Sequence, residues 1–153
     1  MKNTKYFDLQ TILPHRPPMI FIDEVIEYDL DQFSLTASVM IKDDSMFFDK
    51  NLGGVPAWAG LEYIAQTVGA LSGICNRENG NHEPQLGFIL GARKYKNTVK
   101  YYKNKEKYYI FIEKQFYDSE LGNFAGTIKD EGGNLCAAVE ITVFTPKQTP
   151  GQT

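Results

Sequence analysis

The chain has 153 residues, of which 16 are basic and 19 acidic, with a net charge of −3 and 42% apolar residues. This composition predicts one globular domain with its own core, and it excludes disorder and a general basic field for nucleic acid. Two cysteines, Cys75 and Cys136, disfavour a disulfide scaffold or a cysteine-rich zinc site. The two histidines, His15 and His82, are the only candidates for acid–base chemistry that needs imidazole.

The N-terminal third predicts a short helix followed by a β-hairpin. Asp8 in the first turn and the prolines that follow indicate a helix over Phe7–Leu13. An apolar run predicts a strand over Ile20–Tyr28, and clean alternation predicts a second strand over Phe33–Ile41. The residues between them, Asp29–Asp31, suit a hairpin turn.

A long buried helix is predicted in the middle of the chain. Apolar side chains recur at helical spacing from Leu61 to Cys75, and the interior glycines predict close packing on a surrounding sheet. The nearly uncharged run 55–74 is long enough for a membrane span, but Glu62 and Gln66 within it argue against lipid. The first ten residues carry no apolar signal-peptide core, so we expect a cytoplasmic protein without membrane contact.

The second half of the chain predicts strands separated by turns. Leu86–Ala92 is continuously apolar and is predicted to be a central strand. The other predicted strands are Lys107–Phe116, Phe124–Lys129 and Leu135–Phe144, with Gly132-Gly133 in the last hairpin turn. We therefore expect an α+β domain with an antiparallel sheet over residues 1–146 and a flexible tail over 147–153.

Three collinear motifs resemble one enzyme family. Residues 13–25 (LPHRPPMIFIDEV) resemble the LPHRxPxLLVDxV opening of FabZ-type 3-hydroxyacyl-acyl-carrier-protein dehydratases. Residues 56–66 (PAWAGLEYIAQ) resemble the family's PGVLxxEAMAQ segment, and residues 87–96 (GFILGARKYK) resemble its FAGIDxARFK strand. The resemblance implies the hotdog fold, in which an antiparallel sheet wraps around one long helix.

The chain departs from that family at the catalytic histidine. The family's HFPGxPxxPG segment supplies this base, and counting back from Pro56 places Phe48 at the histidine position. A divergent subgroup of predicted dehydratases, the ApeP-like proteins of aryl-polyene synthesis, similarly keeps the LPH and helix motifs without HFPG. We place the chain near that subgroup.

The resemblance implies a reaction and a set of site residues. Dehydration of a (3R)-hydroxyacyl thioester to the trans-2-enoyl product needs a base for the C2 proton and an acid for the C3 hydroxyl. The family's acid maps onto Glu62, which Gln66 would orient, and the missing base makes His15 the candidate. Backbone N–H groups over 53–59 would stabilise the enolate. The predicted substrate-binding residues are Phe48, Gly53, Gly54, Pro56, Trp58, Gln66 and Phe88. No metal or redox cofactor is implied.

Simpler interpretations stand beside these roles. Glu62 is alternatively a carboxylate that caps a helix start, and His15 a side chain that fixes a turn. A hotdog thioesterase would use Glu62 to activate water. A non-catalytic hotdog subunit that binds acyl carrier, or pairs with an active dehydratase, would account for the missing histidine.

Basic residues are concentrated in one stretch. Residues 93–107 hold seven lysines or arginines and one acidic residue, a net charge of +6, which leaves −9 for the rest of the chain. Arg93, Lys94 and Lys96 are candidate docking residues for an acidic acyl carrier protein bearing a phosphopantetheine-linked acyl group. A solvated face is the plainer alternative, and the interleaved tyrosines leave RNA stacking as a third. The resemblance also implies a homodimer with sites at the subunit interface, or a hetero-oligomer with another hotdog protein.

Overall fold

A six-stranded antiparallel sheet encloses one long helix. The computed structural model describes residues 1–80, 88–118 and 121–144. Its elements are α1 (Leu9–Ile12), β1 (Glu24–Asp29), β2 (Ser34–Met40), β3 (Gly54–Pro56), α2 (Ala59–Glu78), β4 (Phe88–Asn97), β5 (Tyr101–Lys103), β6 (Lys107–Asp118), β7 (Leu121–Asp130) and β8 (Leu135–Phe144). The large sheet has the order β1-β2-β6-β7-β8-β4, and β3 and β5 form a separate two-stranded ribbon.

The core lies between α2 and the inner face of the large sheet. Helix α2 contacts β2, β6, β7 and β8. Its buried side chains include Ile64, Leu71 and Ile74, which join inward-facing strand residues such as Ile110 and Ile141 in one hydrophobic cluster. Alternation along the strands supplies this apolar face, because successive side chains point to opposite sides of a sheet. The α+β class with an antiparallel sheet around one helix is confirmed.

Several predicted elements differ from the observed ones at their ends. The first helix is a single turn, which begins after Asp8, whose carboxylate accepts a hydrogen bond from the Gln10 N–H. The first strand begins at Glu24 rather than Ile20, and the short β3–β5 ribbon was not predicted. The turn at Gly132-Gly133 is confirmed, with Gly133 at φ +83° and its N–H bonded to the Asp130 carbonyl.

The prediction that Leu86–Ala92 forms a central strand is wrong. Strand β4 lies at the edge of the sheet and pairs with β8. Ile89 and Leu90 are exposed, by 46% and 61%. An apolar edge strand of this kind is typical of a surface that another chain covers. The start of the predicted strand, His82 and the tail lie outside the described residues.

Gly73 allows α2 to approach the end of α1. A Cβ atom built at Gly73 would lie 1.8 Å from the carbonyl oxygen of Ile12, which is backbone and cannot move aside by rotation. The sequence predicted that the helical glycines pack against the sheet. At this position, instead, the contact is with the other helix.

We expect Gly73→Ala to destabilise the fold by about 1–3 kcal/mol, because the added methyl group forces the two helices apart. Urea unfolding measures this change. Gly69→Ala is the matched control, since a Cβ there meets only the end of the Leu13 side chain at 3.4 Å. Equal stability of the two variants would contradict the prediction.

Candidate active site

Glu62 lies in the first turn of α2 and its side chain is exposed. A carboxylate at this position interacts favourably with the positive end of the helix dipole. This chain by itself leaves the Glu62 carboxylate in contact with solvent. Any shielding must therefore come from a group outside the described part of the chain.

The segment before α2 is fixed by tight backbone packing. Gly53 has φ +69°, and a Cβ at Gly54 would lie 2.0 Å from the Tyr102 carbonyl oxygen, so that both positions favour glycine. Gly54 and Pro56 belong to β3, which pairs with β5. This ribbon holds the entry to α2 in one place. The N-cap residue of the helix, Trp58, makes no side-chain capping hydrogen bond.

Aromatic side chains surround the start of α2. The ring of Phe47 lies 4.7 Å from that of Phe21 and 5.4 Å from that of Trp58, between ring centroids. Trp58 is 57% exposed, while Phe48, at the position of the family's histidine, is half-buried against the core. Phe47 was not singled out in the sequence, because its role depends on contacts with residues distant in the chain. The result is an apolar wall at the helix turn that carries Glu62.

Gln66 connects α2 to the segment that follows the LPH motif. Its side-chain oxygen accepts hydrogen bonds from the Phe21 N–H (2.6 Å) and the Ile22 N–H (3.1 Å), and its amide nitrogen donates to the Met19 carbonyl (2.8 Å). Gln66 is 4% exposed. The Gln66 carboxamide thus bonds to the backbone of residues 19–22. The structure shows these contacts and not the predicted contact with Glu62.

His15 lies in the exposed turn between α1 and β1. The guanidinium of Arg16 donates hydrogen bonds to the carbonyls of Leu13 (3.1 Å) and His15 (2.7 Å), which stabilises the turn. The His15 imidazole is therefore presented to solvent on an ordered loop. Met19 lies four residues after His15 and is bonded to Gln66, so this loop is tethered near α2.

The predicted carrier-docking residues lie on the edge strand. Arg93 and Lys94 both form ion pairs with Glu140 of the neighbouring strand, at 2.9 Å and 3.7 Å, and Lys96 is exposed. These pairs are exposed and so contribute little to stability. Phe88 begins the same strand, and its side chain lies outside what the structure describes.

Tyr95 of the edge strand reaches the start of α2 and was missed as a site residue. Its hydroxyl donates a hydrogen bond to the Ala57 carbonyl (3.0 Å), and the Leu61 backbone N–H is a second partner. Burial raises the pKa of the Tyr95 hydroxyl, while the Asn97 side chain and the Leu61 N–H lower it in part. In the sequence this tyrosine is indistinguishable from its neighbours in the basic stretch.

A cavity of about 250 Å³ lies at the C-terminal half of α2. Its apolar wall consists of Phe33, Leu71, Phe124 and Val143. Partly exposed small residues run along α2 from Glu62 towards this cavity, namely Ala65, Gly69 and Ser72. Ser72 lines the cavity and lies ten residues beyond Glu62, or about 15 Å along the helix axis.

Neither cysteine is exposed. Burial raises the pKa of both cysteine thiols, Cys75 and Cys136, as suits unreactive packing residues. Residues 1–80, 88–118 and 121–144 contain no cluster of three His, Cys, Asp or Glu side chains suited to a metal ion. Among the helices described, none is both long and apolar enough to cross a membrane.

Comparison with sequence families identifies one match over almost the whole chain. The model of the ApeP-like family, described as ApeP dehydratase, matches residues 7–152. The 3-hydroxyacyl-[acyl-carrier-protein] dehydratase FabZ of Chlamydia trachomatis is 35% identical over 92 residues, which cover 58% of this chain and 59% of the relative. FabZ of Streptococcus uberis is 34% identical over 92 residues, covering 58% and 61%. The chain thus spans about 59% of the length of the curated relatives it matches.

Solved structures share the fold. The dehydratase heterocomplex ApeI:P from Xenorhabdus doucetiae matches with a TM-score of 0.84 and 25% identity, over 94% of each chain. A hypothetical thioesterase with coenzyme A from Streptococcus pneumoniae matches with a TM-score of 0.63 and 13% identity, over 82% of this chain and 86% of that one. The second likeness concerns the fold alone. The fold is the hotdog fold that the motifs implied.

Proposed function

Because this chain belongs to the ApeP-like dehydratase family, we propose that it takes part in the dehydration of (3R)-hydroxyacyl thioesters carried on acyl carrier protein. The product is the trans-2-enoyl thioester. The observation that carries the proposal is Glu62, which lies at the start of the enclosed helix, next to an apolar wall and within the family's motif.

In the proposed reaction, a base removes the C2 proton and the C3–O bond breaks as the double bond forms. Glu62, protonated, donates its proton to the departing hydroxyl, which leaves as water. Charge that develops on the thioester oxygen is stabilised by N–H groups at the uncapped start of α2, beginning with Trp58. The helix face from Glu62 to Ser72 and its cavity accommodate an acyl chain.

A second hotdog subunit completes the proposed site. Glu62 is exposed in one chain, and Tyr95 links its helical turn directly to the edge strand β4. A subunit that pairs along β4 therefore also covers Glu62 and excludes water from it. Such a subunit would cover the exposed Ile89 and Leu90 as well.

Two partners are compatible with this arrangement. In a homodimer, His15 is the candidate base, acting across the interface. In a heterodimer, a different hotdog chain supplies its own base, an arrangement favoured by Phe48 and by the likeness to the dehydratase heterocomplex ApeI:P. The basic face that includes Arg93, Lys94 and Lys96 is the proposed docking surface for acyl carrier protein.

The test is an assay of this chain, alone and co-expressed with a hotdog dehydratase of the same organism, on 3-hydroxyacyl-carrier protein. Mass spectrometry separates loss of water from release of free acid, which a thioesterase would produce. We expect loss of water. If this chain is active without a partner and loses that activity in His15→Ala, the result supports the homodimer. If activity requires the second chain, the result supports the heterodimer. No dehydration in either preparation rejects the proposal.

A further inference from the structure

Tyr95 is the side chain that joins the edge strand to the start of α2. The register between β4 and β8 shifts between Arg93 and Lys96, and Lys94 within this bulge has φ +55°. The bulge turns Tyr95 inward, so that it is half-buried between two exposed lysines, Lys94 and Lys96. A regular strand would not place this ring against the helix, because a bulge redirects a side chain.

The Tyr95 hydroxyl lies between two backbone groups at the helix start. It donates to the Ala57 carbonyl at 3.0 Å and is within hydrogen-bond reach of the Leu61 N–H. The N-cap residue Trp58 makes no side-chain cap, and Tyr95 holds the backbone immediately before it through the Ala57 carbonyl. The Leu61 N–H also donates a backbone hydrogen bond to the Trp58 carbonyl, at 3.3 Å.

The Ala57 carbonyl and the Trp58 N–H belong to the same peptide unit. That unit is planar, and in its trans form the two groups point in opposite directions, so fixing one fixes the other. The Ala57 N–H is also held, by the Lys100 carbonyl at 3.1 Å, and its carbonyl accepts a second hydrogen bond from Gly60 at 3.0 Å. Several hydrogen bonds therefore restrain rotation of the peptide. Among these bonds, the one from Tyr95 is made by a side chain and the others are made by the backbone.

We propose that Tyr95 is a positioning residue that sets the direction of the Trp58 N–H and the placement of the Glu62 turn. The inference rests on the proposed function, since Glu62 is there the acid and the Trp58 N–H a donor to the thioester oxygen. Tyr95 itself does not contact the reacting atoms. It acts from β4, so the strand that a second subunit covers is connected to the catalytic turn by one hydroxyl group.

The test uses the full chain, with its partner subunit where activity requires one, and the variant Tyr95→Phe. The chain contains one tryptophan, so selective ¹⁵N-tryptophan labelling gives a single backbone amide resonance, that of Trp58. In Tyr95→Phe we expect this resonance to shift, because the peptide unit that carries the Trp58 N–H loses one of its restraints. We expect kcat to fall about tenfold with KM unchanged, because the ring still fills its site while the reacting groups are misplaced.

Tyr6→Phe is the matched control, since Tyr6 is 79% exposed, and it should change neither quantity. An unchanged Trp58 amide in Tyr95→Phe, or an unchanged kcat, would overturn the inference. The inference would also be overturned if thermal unfolding showed that the fall in kcat only reflects an equal fall in the fraction of folded protein. If the unmodified protein does not dehydrate the substrate, the proposed function fails, and the amide measurement alone then decides whether Tyr95 sets the helix start.

Discussion

Glu62→Gln is expected to lower the rate of dehydration about 10³-fold, within the range that general acid–base groups contribute. Glutamine keeps the size and hydrogen-bonding shape of the side chain but has no acidic proton to give to the leaving hydroxyl. Because Glu62 is exposed in the single chain, the substitution should leave the free energy of unfolding almost unchanged. The measurement is kcat on a 3-hydroxyacyl-carrier substrate, with urea unfolding in parallel.

Glu131→Gln is a matched control. Glu131 is exposed in the turn between β7 and β8, and the same loss of one negative charge there should leave turnover unchanged. The comparison separates proton donation by Glu62 from a general effect of charge on binding of an acidic carrier. A Glu62→Gln protein with full kcat would show that Glu62 is only a helix-start carboxylate. That result would return the chain to the class of non-catalytic hotdog subunits.

The sequence predicted the central helix well because helical periodicity is a local signal. The predicted apolar spacing from Leu61 to Cys75 lies within the observed helix, Ala59–Glu78. The strands with regular alternation, such as Ser34–Met40 and Leu135–Phe144, were also found close to their predicted bounds. In these segments apolar residues recur with the same period as buried positions, so the sequence pattern predicts the secondary structure.

The sequence failed where structure depends on distant partners. The first strand begins later than predicted because the N–H groups of Phe21 and Ile22 bond to Gln66, more than 40 residues away, rather than to a neighbouring strand. The first half of strand β4 is apolar, as in a central strand, but the strand lies at the edge of the sheet. Local composition cannot distinguish a strand buried within one chain from a strand covered by another.

The candidate site likewise contains residues that the sequence predicted and residues that it did not. Motif resemblance predicted Glu62, and the structure places it in the first turn of the enclosed helix. The contact between Tyr95 and Ala57 depends on a bulge and on a fold that brings positions 38 residues apart together. Neither feature has a sequence signature in a single chain. A motif thus names a candidate residue for the chemistry, while contacts such as that of Tyr95 with Ala57 emerge only from the fold.

Gln66→Leu is expected to destabilise the protein by about 3 kcal/mol or more. The substitution keeps the volume of the buried side chain but removes three hydrogen bonds to the backbone of Met19, Phe21 and Ile22. Each lost bond costs about 1 kcal/mol, and a buried N–H left without a partner adds about 1–3 kcal/mol. Ile22 is only 2% exposed, so water cannot readily replace its lost partner.

Urea unfolding of Gln66→Leu measures this loss, and Gln10→Leu is the control, because Gln10 is exposed on α1. For a domain of this size the expected melting temperature falls by about 6–12 °C. The segment that carries the LPH motif is anchored to α2 through Gln66, so its amides should also exchange faster than those of the β6–β8 strands. Unchanged stability would mean that segment 19–22 is held by its apolar contacts, with Phe21 against Phe47, and that the carboxamide is dispensable for the fold.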